Sequence, residues 1–369
     1  MTTSTPTIDD IRERLREQFL DKSEKAGASK KTTTSPVVDI QRQLFGEPVA
    51  DQVPQDKVAY SDIIGEGHPS GEYYFTVYKE SDWDEKVRPL IPEVDESHVF
   101  DHDYALAILM GIEYDKSVFA FGPPGTGKSV TPEQICARIK YPFKFIAGMG
   151  GTEPADYVGS PWVSDGNMSW KDAEASFCVR HGVFMLYDEP FKASAQTNMC
   201  FQSLLDSRRT LKLYGHPDPI EGNLKAHPKF RMCLADNVRG FGDDMDKYAA
   251  EIQDQATLNR TAYKVSVDYP AAEVEEQILM NRFPEATEFL VKKVVSLAGL
   301  LRTAWKKGEV SAPYSLRDTQ ELVENALYFR NLPLAFTNTY YGVVKEDAER
   351  KSIQKSWTTV YGTTLPLGA

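Results

Sequence analysis

Cysteine is scarce in this chain: Cys136, Cys178, Cys200 and Cys233 are the only four in 369 residues. They are widely spaced and contain no C-x-x-C pair. That argues against a disulfide framework or a thiolate metal site, and for reduced core residues in a cytoplasmic protein. The six histidines show no paired ligand spacing either. No uncharged apolar run reaches the ~18 residues that suggest a membrane-spanning helix. The best candidate, 289–305, contains Lys292, Lys293 and Arg302 and reads as an amphipathic helix. The first residues, MTTSTPTIDDIRERLREQF, lack the apolar core of a secretory signal. Positive charge is in deficit: 54 acidic against 42 basic residues give a net charge of −12. General attraction to nucleic acid is therefore not expected, and a local basic patch is the only route to it.

What is present supports a sizeable core, with 41% hydrophobic residues and length for two domains plus tails. Residues 1–58 read as a flexible arm. Ile8, Ile11, Leu15 and Phe19 share one helical face, and the polar stretch KSEKAGASKKTTTS follows as a linker. A solvated tail and a docking helix for a partner both fit that pattern. Residues 59–270 read as the core, and from about Asp95 to Tyr269 apolar strands and helices alternate, the mark of a parallel sheet covered on its faces. Strands are expected near 117–121, 143–147, 183–187, 230–235 and 262–267. Residues 271–369 turn helical, as a small lid domain would, with the stretch from Thr358 to Ala369 expected to be extended. Two excursions interrupt the core. PWVSDGNMSWKD (161–172) centres on Asp165-Gly166, a two-residue hairpin signal. The stretch 211–225 is a second loop-rich insertion. Each reads either as a plain surface hairpin or as a part that touches a partner.

The chemistry begins at GPPGTGKS, residues 122–129, which fits G-x-x-x-x-G-K-S without a gap. An apolar strand precedes it and a helix follows, the context this motif requires. Gly122, Gly125 and Gly127 let the backbone turn tightly and bring amides near phosphate oxygens, with Pro123, Pro124 and Thr126 completing the loop. The helix start at Ser129 and Val130 adds partial positive charge. Lys128 can reach the β- and γ-phosphates of ATP, and the Ser129 hydroxyl can ligate Mg²⁺. Pro132 is compatible with that helix only in its first turn.

A second apolar run, 183–187, ends in Asp188-Glu189. Carboxylates at the end of a core strand are costly unless a cation or water uses them. Asp188 suits holding Mg²⁺, and Glu189 suits orienting the attacking water. A third run, FRMCLADN, ends in Asn237, whose amide would sit beside that pair if the two strands are neighbours. Arg260, at the end of QATLNR, lies just before the fifth strand, placed to reach a neighbouring subunit's nucleotide. Arg317 lies in SLRD, where Ser315 and Asp318 make a capping-box pattern that would aim it from the lid towards the phosphates. Either arginine also fits a surface ion pair, and Arg208, Arg209 and Arg239 compete for the same roles.

The succession GPPGTGKS, LYDEP, LADN, LNR and SLR resembles the AAA+ ATPases of the MoxR branch. Within it, IPEVDESHVFD, DYVGS, HPKFRMCLADNVRGFGDD and EIQDQATLNR are similar to the CobS-type ATPase subunits of cobaltochelatase, over roughly residues 90–280. Pro124, the stretch PFKASAQTNM after Glu189, and Thr261 depart from that pattern. The resemblance implies an αβα sandwich, the P-loop NTPase fold with a parallel five-stranded sheet, plus a C-terminal helical lid. It implies a homo-oligomer, a hexameric ring with each nucleotide at a subunit boundary. In it Lys128, Ser129, Asp188, Glu189, Asn237, Arg260 and Arg317 take the Walker A, Walker B, sensor 1, arginine-finger and sensor 2 roles. It also implies a protein partner with a von Willebrand factor A-type domain, and remodelling of protein complexes as the output.

Overall fold

A computed structural model describes residues 57–164, 166–239 and 258–366. The arm with Ile8, Ile11, Leu15 and Phe19 lies outside the described residues, as do Asp165 and the stretch 240–257. In chain order the first elements are β1 (Val58–Ala59), α1 (Tyr60–Ile64), β2 (Tyr74–Phe75), α2 (His102–Glu113), β3 (Val118–Phe121), α3 (Val130–Arg138) and β4 (Phe143–Ala147). There follow α4 (Pro154–Val158), the strands β5 (Ser160–Ser164) and β6 (Asn167–Lys171), α5 (Glu174–His181) and β7 (Phe184–Asp188). The short helices α6 (Ala195–Asn198) and α7 (Gln202–Leu205) lead to β8 (Thr210–Lys212), β9 (Asn223–Lys225), β10 (Arg231–Asp236) and β11 (Tyr263–Ser266).

Five strands form one parallel sheet in the order β11-β3-β10-β7-β4. Every residue of β10 is buried, and only the last residue of β7 and of β3 is partly exposed. Strands covered on both faces are apolar between their ends, which is why 232–235 and 184–187 read as near-continuous apolar runs, with Arg231 and Asp236 at the two ends of β10. The expected five strands are all present, with ends shifted by about a residue. The edge strand β11 alternates as read, with Tyr263, Val265 and Val267 the less exposed set. Registry pairs Phe121 with Asp236 and Asp188 with both Ala235 and Ala147, so these strand ends form a single C-terminal edge. Open parallel sheets bind ligands outside this edge, where strand order reverses around an interior strand such as β3.

Both excursions are hairpins. β5 pairs antiparallel with β6 in a register that joins Ser164 to Asn167 and leaves two residues for the turn. β8 pairs antiparallel with β9. Their outer surfaces expose Trp162, Val163, Met168, Tyr214 and Ile220.

From Ala272 the chain is helical: α8 (Ala272–Arg282), α9 (Glu288–Lys306), α10 (Leu316–Phe329), α11 (Leu332–Thr339) and α12 (Asp347–Tyr361). On α9 the buried positions Val291, Val294, Val295, Ala298, Leu301 and Arg302 recur at three- and four-residue steps. The apolar ones among them meet Tyr314, Phe336 and Trp357 in a hydrophobic cluster distinct from the one around the sheet. The expectation of an extended stretch from Thr358 is wrong at its start. Residues 358–361 complete α12, because Ile353 and Trp357 one turn earlier are buried in that cluster and hold the helix in place. Among the described residues no helix is long and apolar enough to cross a membrane.

Leu301 is fully buried in the helical cluster. Leu301→Ala should cost about 2–5 kcal/mol of stability through lost contacts and a residual cavity. Denaturant unfolding followed by circular dichroism checks this, and a change below about 0.5 kcal/mol would contradict the packing.

Candidate active site

The glycine loop leaves the C-terminal end of β3 and enters α3. Gly122 has φ 146°, and a Cβ there would lie 2.0 Å from the Val267 carbonyl oxygen of the adjoining strand segment. Only glycine lets the loop start so close to that backbone. Gly125 has φ 68°, and a Cβ there would lie 2.5 Å from Ser315 Cβ, so the helical region presses directly on the loop. The Thr126 hydroxyl donates to the Pro123 carbonyl at 3.1 Å, and the fully buried Tyr104 hydroxyl donates to the Lys128 carbonyl at 2.6 Å. Pro132 sits in the first turn of α3, as the sequence requires.

Lys128 is only 6% exposed, and its ammonium donates to the carbonyls of Gly122 at 2.9 Å and Pro123 at 2.6 Å. Burial pushes its pKa down to about 8, against the pull of Asp188, Asp236 and Glu189 towards the charged form. The Ser129 hydroxyl donates to Asp188 Oδ2 at 2.9 Å. These two oxygens are the kind of hard donors a magnesium ion takes alongside water and phosphate. Burial raises the Asp188 pKa, the Ser129 hydrogen bond lowers it, and Glu189 raises it further. A divalent cation would restore the ionised form.

Glu189 has φ 49°, the left-handed region, which a non-glycine residue enters at a cost. Its N–H donates to the Ala235 carbonyl of β10 at 2.7 Å. Oε1 accepts from Asn237 Nδ2 at 3.1 Å, and Oε2 accepts from Lys192 Nζ at 2.5 Å. The neighbouring strands thus bring Asn237 to the acidic pair, as the reading of FRMCLADN anticipated. That reading did not single out Asp236. This carboxylate is buried and accepts the N–H groups of Phe191 and Val238, both at 3.0 Å. It ties the segment after Glu189 to the end of β10. Burial pushes its pKa up to about 6 against the hydrogen bonds it accepts. The strand-terminal Asp in CLADN was the visible signal.

A cavity of about 370 Å³ opens beside the glycine loop. Gly125, Gly127 and Val130 form one wall, the segment from Asp95 to His102 another, and the helical region the third. Arg317 lines it from the first turn of α10, below a capping box in which Ser315 N–H donates to Asp318 Oδ2 at 2.7 Å. Arg282 and His98 line it too, and neither stood out in the sequence. His98 is held neutral near pH 7 by burial, which drops its pKa to about 4, with Arg138 adding to the effect.

Arg260 is not part of this assembly. It precedes β11, and the next residues, Ala262 and Tyr263, donate to the Ser117 carbonyl just ahead of β3. It therefore sits at the N-terminal edge of the sheet, a strand length or on the order of 10 Å from the edge bearing Lys128. There it helps Arg208 hold the Asp206 carboxyl below its usual range. Among the competing arginines, Arg209 pairs with Asp115 at 2.6 Å and Arg208 pairs with Asp206. Arg239 lies over the Phe121 ring, 5.4 Å from its centroid.

The Lys128 pKa has a measurable consequence. Contact with phosphate raises it in the complex, so nucleotide binding takes up a proton once the free ammonium has lost its own. ATP affinity should stay level up to about pH 8 and then weaken by up to about tenfold per pH unit. Calorimetric titrations in buffers of different ionisation enthalpy check this, and an affinity level to about pH 9.5 would contradict it.

Residues 117–247 match the family model of the AAA domain, dynein-related subfamily. The chain is 28% identical over 284 residues to aerobic cobaltochelatase subunit CobS of Sinorhizobium, covering 74% of this chain and 84% of that protein. It is 23% identical over 216 residues to mouse von Willebrand factor A domain-containing protein 8, covering 56% of this chain and 11% of that one. Among solved structures, the Thermotoga maritima RuvB Holliday junction branch migration motor aligns at 12% identity and a TM-score of 0.44, over 74% of this chain and 80% of that chain. Residues 117–247 thus carry an AAA domain, and the chain is an ATPase that resembles the CobS-type cobaltochelatase subunit.

Proposed function

We propose that this chain hydrolyses ATP with Mg²⁺ as a member of a homo-oligomeric, hexameric ring, and that the ring remodels a protein partner. The observation that carries this reading is the split arrangement of the catalytic groups. Lys128, Ser129, Asp188, Glu189 and Asn237 converge at one edge of the sheet, while Arg260 sits at the opposite edge. A guanidinium so placed serves a nucleotide held by an adjoining subunit, not its own.

In this reading the loop amides of residues 122–130 bind the phosphates and Lys128 neutralises their charge. Ser129 and Asp188 hold the magnesium ion, which supplies charge stabilisation at the transferring phosphoryl group. Glu189 accepts the proton of the attacking water, and Asn237 holds the Glu189 carboxylate on its Oε1 side. Arg317 meets the phosphates from the helical region. Residues 59–270 form the catalytic core and 271–369 the lid and tail, in a cytoplasmic setting. Likeness to a cobaltochelatase subunit, and to a protein named for its von Willebrand factor A domain, supports a partner that carries such a domain. A metal-insertion complex is the form of that partnership which the CobS likeness favours.

Lys128→Ala should abolish nucleotide binding. Glu189→Gln should keep binding and slow hydrolysis by about a hundredfold or more, the usual loss on removing a general base. Arg260→Ala should spare binding and lower turnover by on the order of 10³. Mixing the last two proteins should restore part of the activity, because each supplies what the other lacks across a shared boundary. No recovery at any ratio, or turnover per chain independent of protein concentration, would count against action between subunits. Stimulation by DNA or RNA that falls steeply with salt would point to a nucleic-acid motor instead.

A further inference from the structure

Residues 267–271 connect β11 to α8, and Tyr269 among them touches both sides of the site. Its hydroxyl donates to the Pro124 carbonyl, within the glycine loop, at 3.0 Å. Its ring lies under the Arg302 guanidinium, 4.2 Å from centroid to Cζ. Arg302 is buried in α9 and grips Glu275 of α8 through two hydrogen bonds of 2.5 and 2.8 Å. Its Nε donates to the Tyr314 carbonyl at 2.9 Å. Tyr314 directly precedes Ser315, the residue that caps α10 and abuts Gly125, and Arg317 follows two positions later.

We propose that Tyr269 is a positioning residue that couples the state of the glycine loop to the placement of Arg317. A buried, doubly bonded ion pair resists being pulled apart, because either charge left alone in the interior is strongly disfavoured. Glu275, Arg302 and the Tyr314 carbonyl therefore move as one body, and α10 moves with them. Tyr269 fastens that body to the loop by a cation–π contact on one side and a hydrogen bond on the other. A shift of Pro124 when phosphates enter the loop is passed through the phenol to Arg302, and from there to the start of α10. The Ser315–Gly125 contact fixes the direction, since the loop cannot move towards α10 without displacing it.

This inference rests on the reading that Arg317 meets the nucleotide, and a double-mutant cycle separates the two. Tyr269→Phe removes only the hydroxyl and keeps the ring over Arg302, so the fold should stand, with an unchanged thermal midpoint. It should lower ATP affinity or turnover by about two- to tenfold, the range of one hydrogen bond. Arg317→Ala alone should cost about tenfold or more. The double variant should be no worse than Arg317→Ala within about twofold, because Tyr269 acts through Arg317. Costs that multiply would overturn the coupling while leaving the Arg317 role intact, and so would a Tyr269→Phe protein indistinguishable from the parent. An Arg317→Ala protein with unaltered ATP binding and turnover would defeat the Arg317 reading itself, and the coupling with it. Tyr269→Leu, which also loses the ring, should reproduce the loss of Tyr269→Phe and add instability. An ATP defect no larger than that of Tyr269→Phe assigns the coupling to the hydroxyl, and a larger one that still vanishes in the Arg317→Ala background assigns part of it to the ring.

Discussion

The buried Lys128 ammonium, set against Asp188, Glu189 and Asp236, is the interaction around which the C-terminal edge of the sheet is organised. A lysine head group this enclosed is stable only with carbonyls and carboxylates around it, and the carboxylates in turn need a cation or hydrogen bonds. Each is met differently. Asp188 takes the Ser129 hydroxyl, Glu189 takes Asn237 and Lys192, and Asp236 takes two backbone N–H groups. Parallel pairing of β3, β10 and β7 is what makes this possible, because it delivers the last residue of each strand to the same place. The site is thus a product of strand register, and the loops after the strands supply the detail.

The helical region belongs to the same electrostatic design. It brings Arg282 and Arg317 to the cavity and presses Ser315 against Gly125. The Arg302–Glu275 pair is buried inside it, where hydrophobic packing alone would serve stability as well. Retaining an ion pair there makes sense if the helices must keep one orientation towards the loop, which is the role assigned above to Tyr269 and its partners.

Much of this was legible in the sequence because the informative residues are local. Five apolar runs bounded by turn residues gave the sheet, and the carboxylates and amide at their ends gave Asp188, Glu189 and Asn237. The Asp165-Gly166 pair marked the first hairpin, and S-L-R-D marked the cap of α10. What could not be read depends on distance along the chain. Tyr269 meets Pro124, and Ser315 meets Gly125, across well over a hundred residues, and no periodicity announces such contacts. Residues 358–361 carry Thr, Thr and Val, which favour extended backbone, yet Trp357 and Ile353 anchor them in a helix. Asp236 was hidden by its neighbour Asn237, whose side chain drew the attention a strand-terminal carboxylate also merits.

The backbone of Glu189 has a further consequence. Glycine would occupy that left-handed conformation without penalty, and asparagine more readily than glutamate. The native residue therefore holds local strain that a simple replacement would relieve. Screening variants for heat resistance alone would enrich replacements at this position and discard the carboxylate, so folded-state robustness and turnover are set against each other at a single peptide unit.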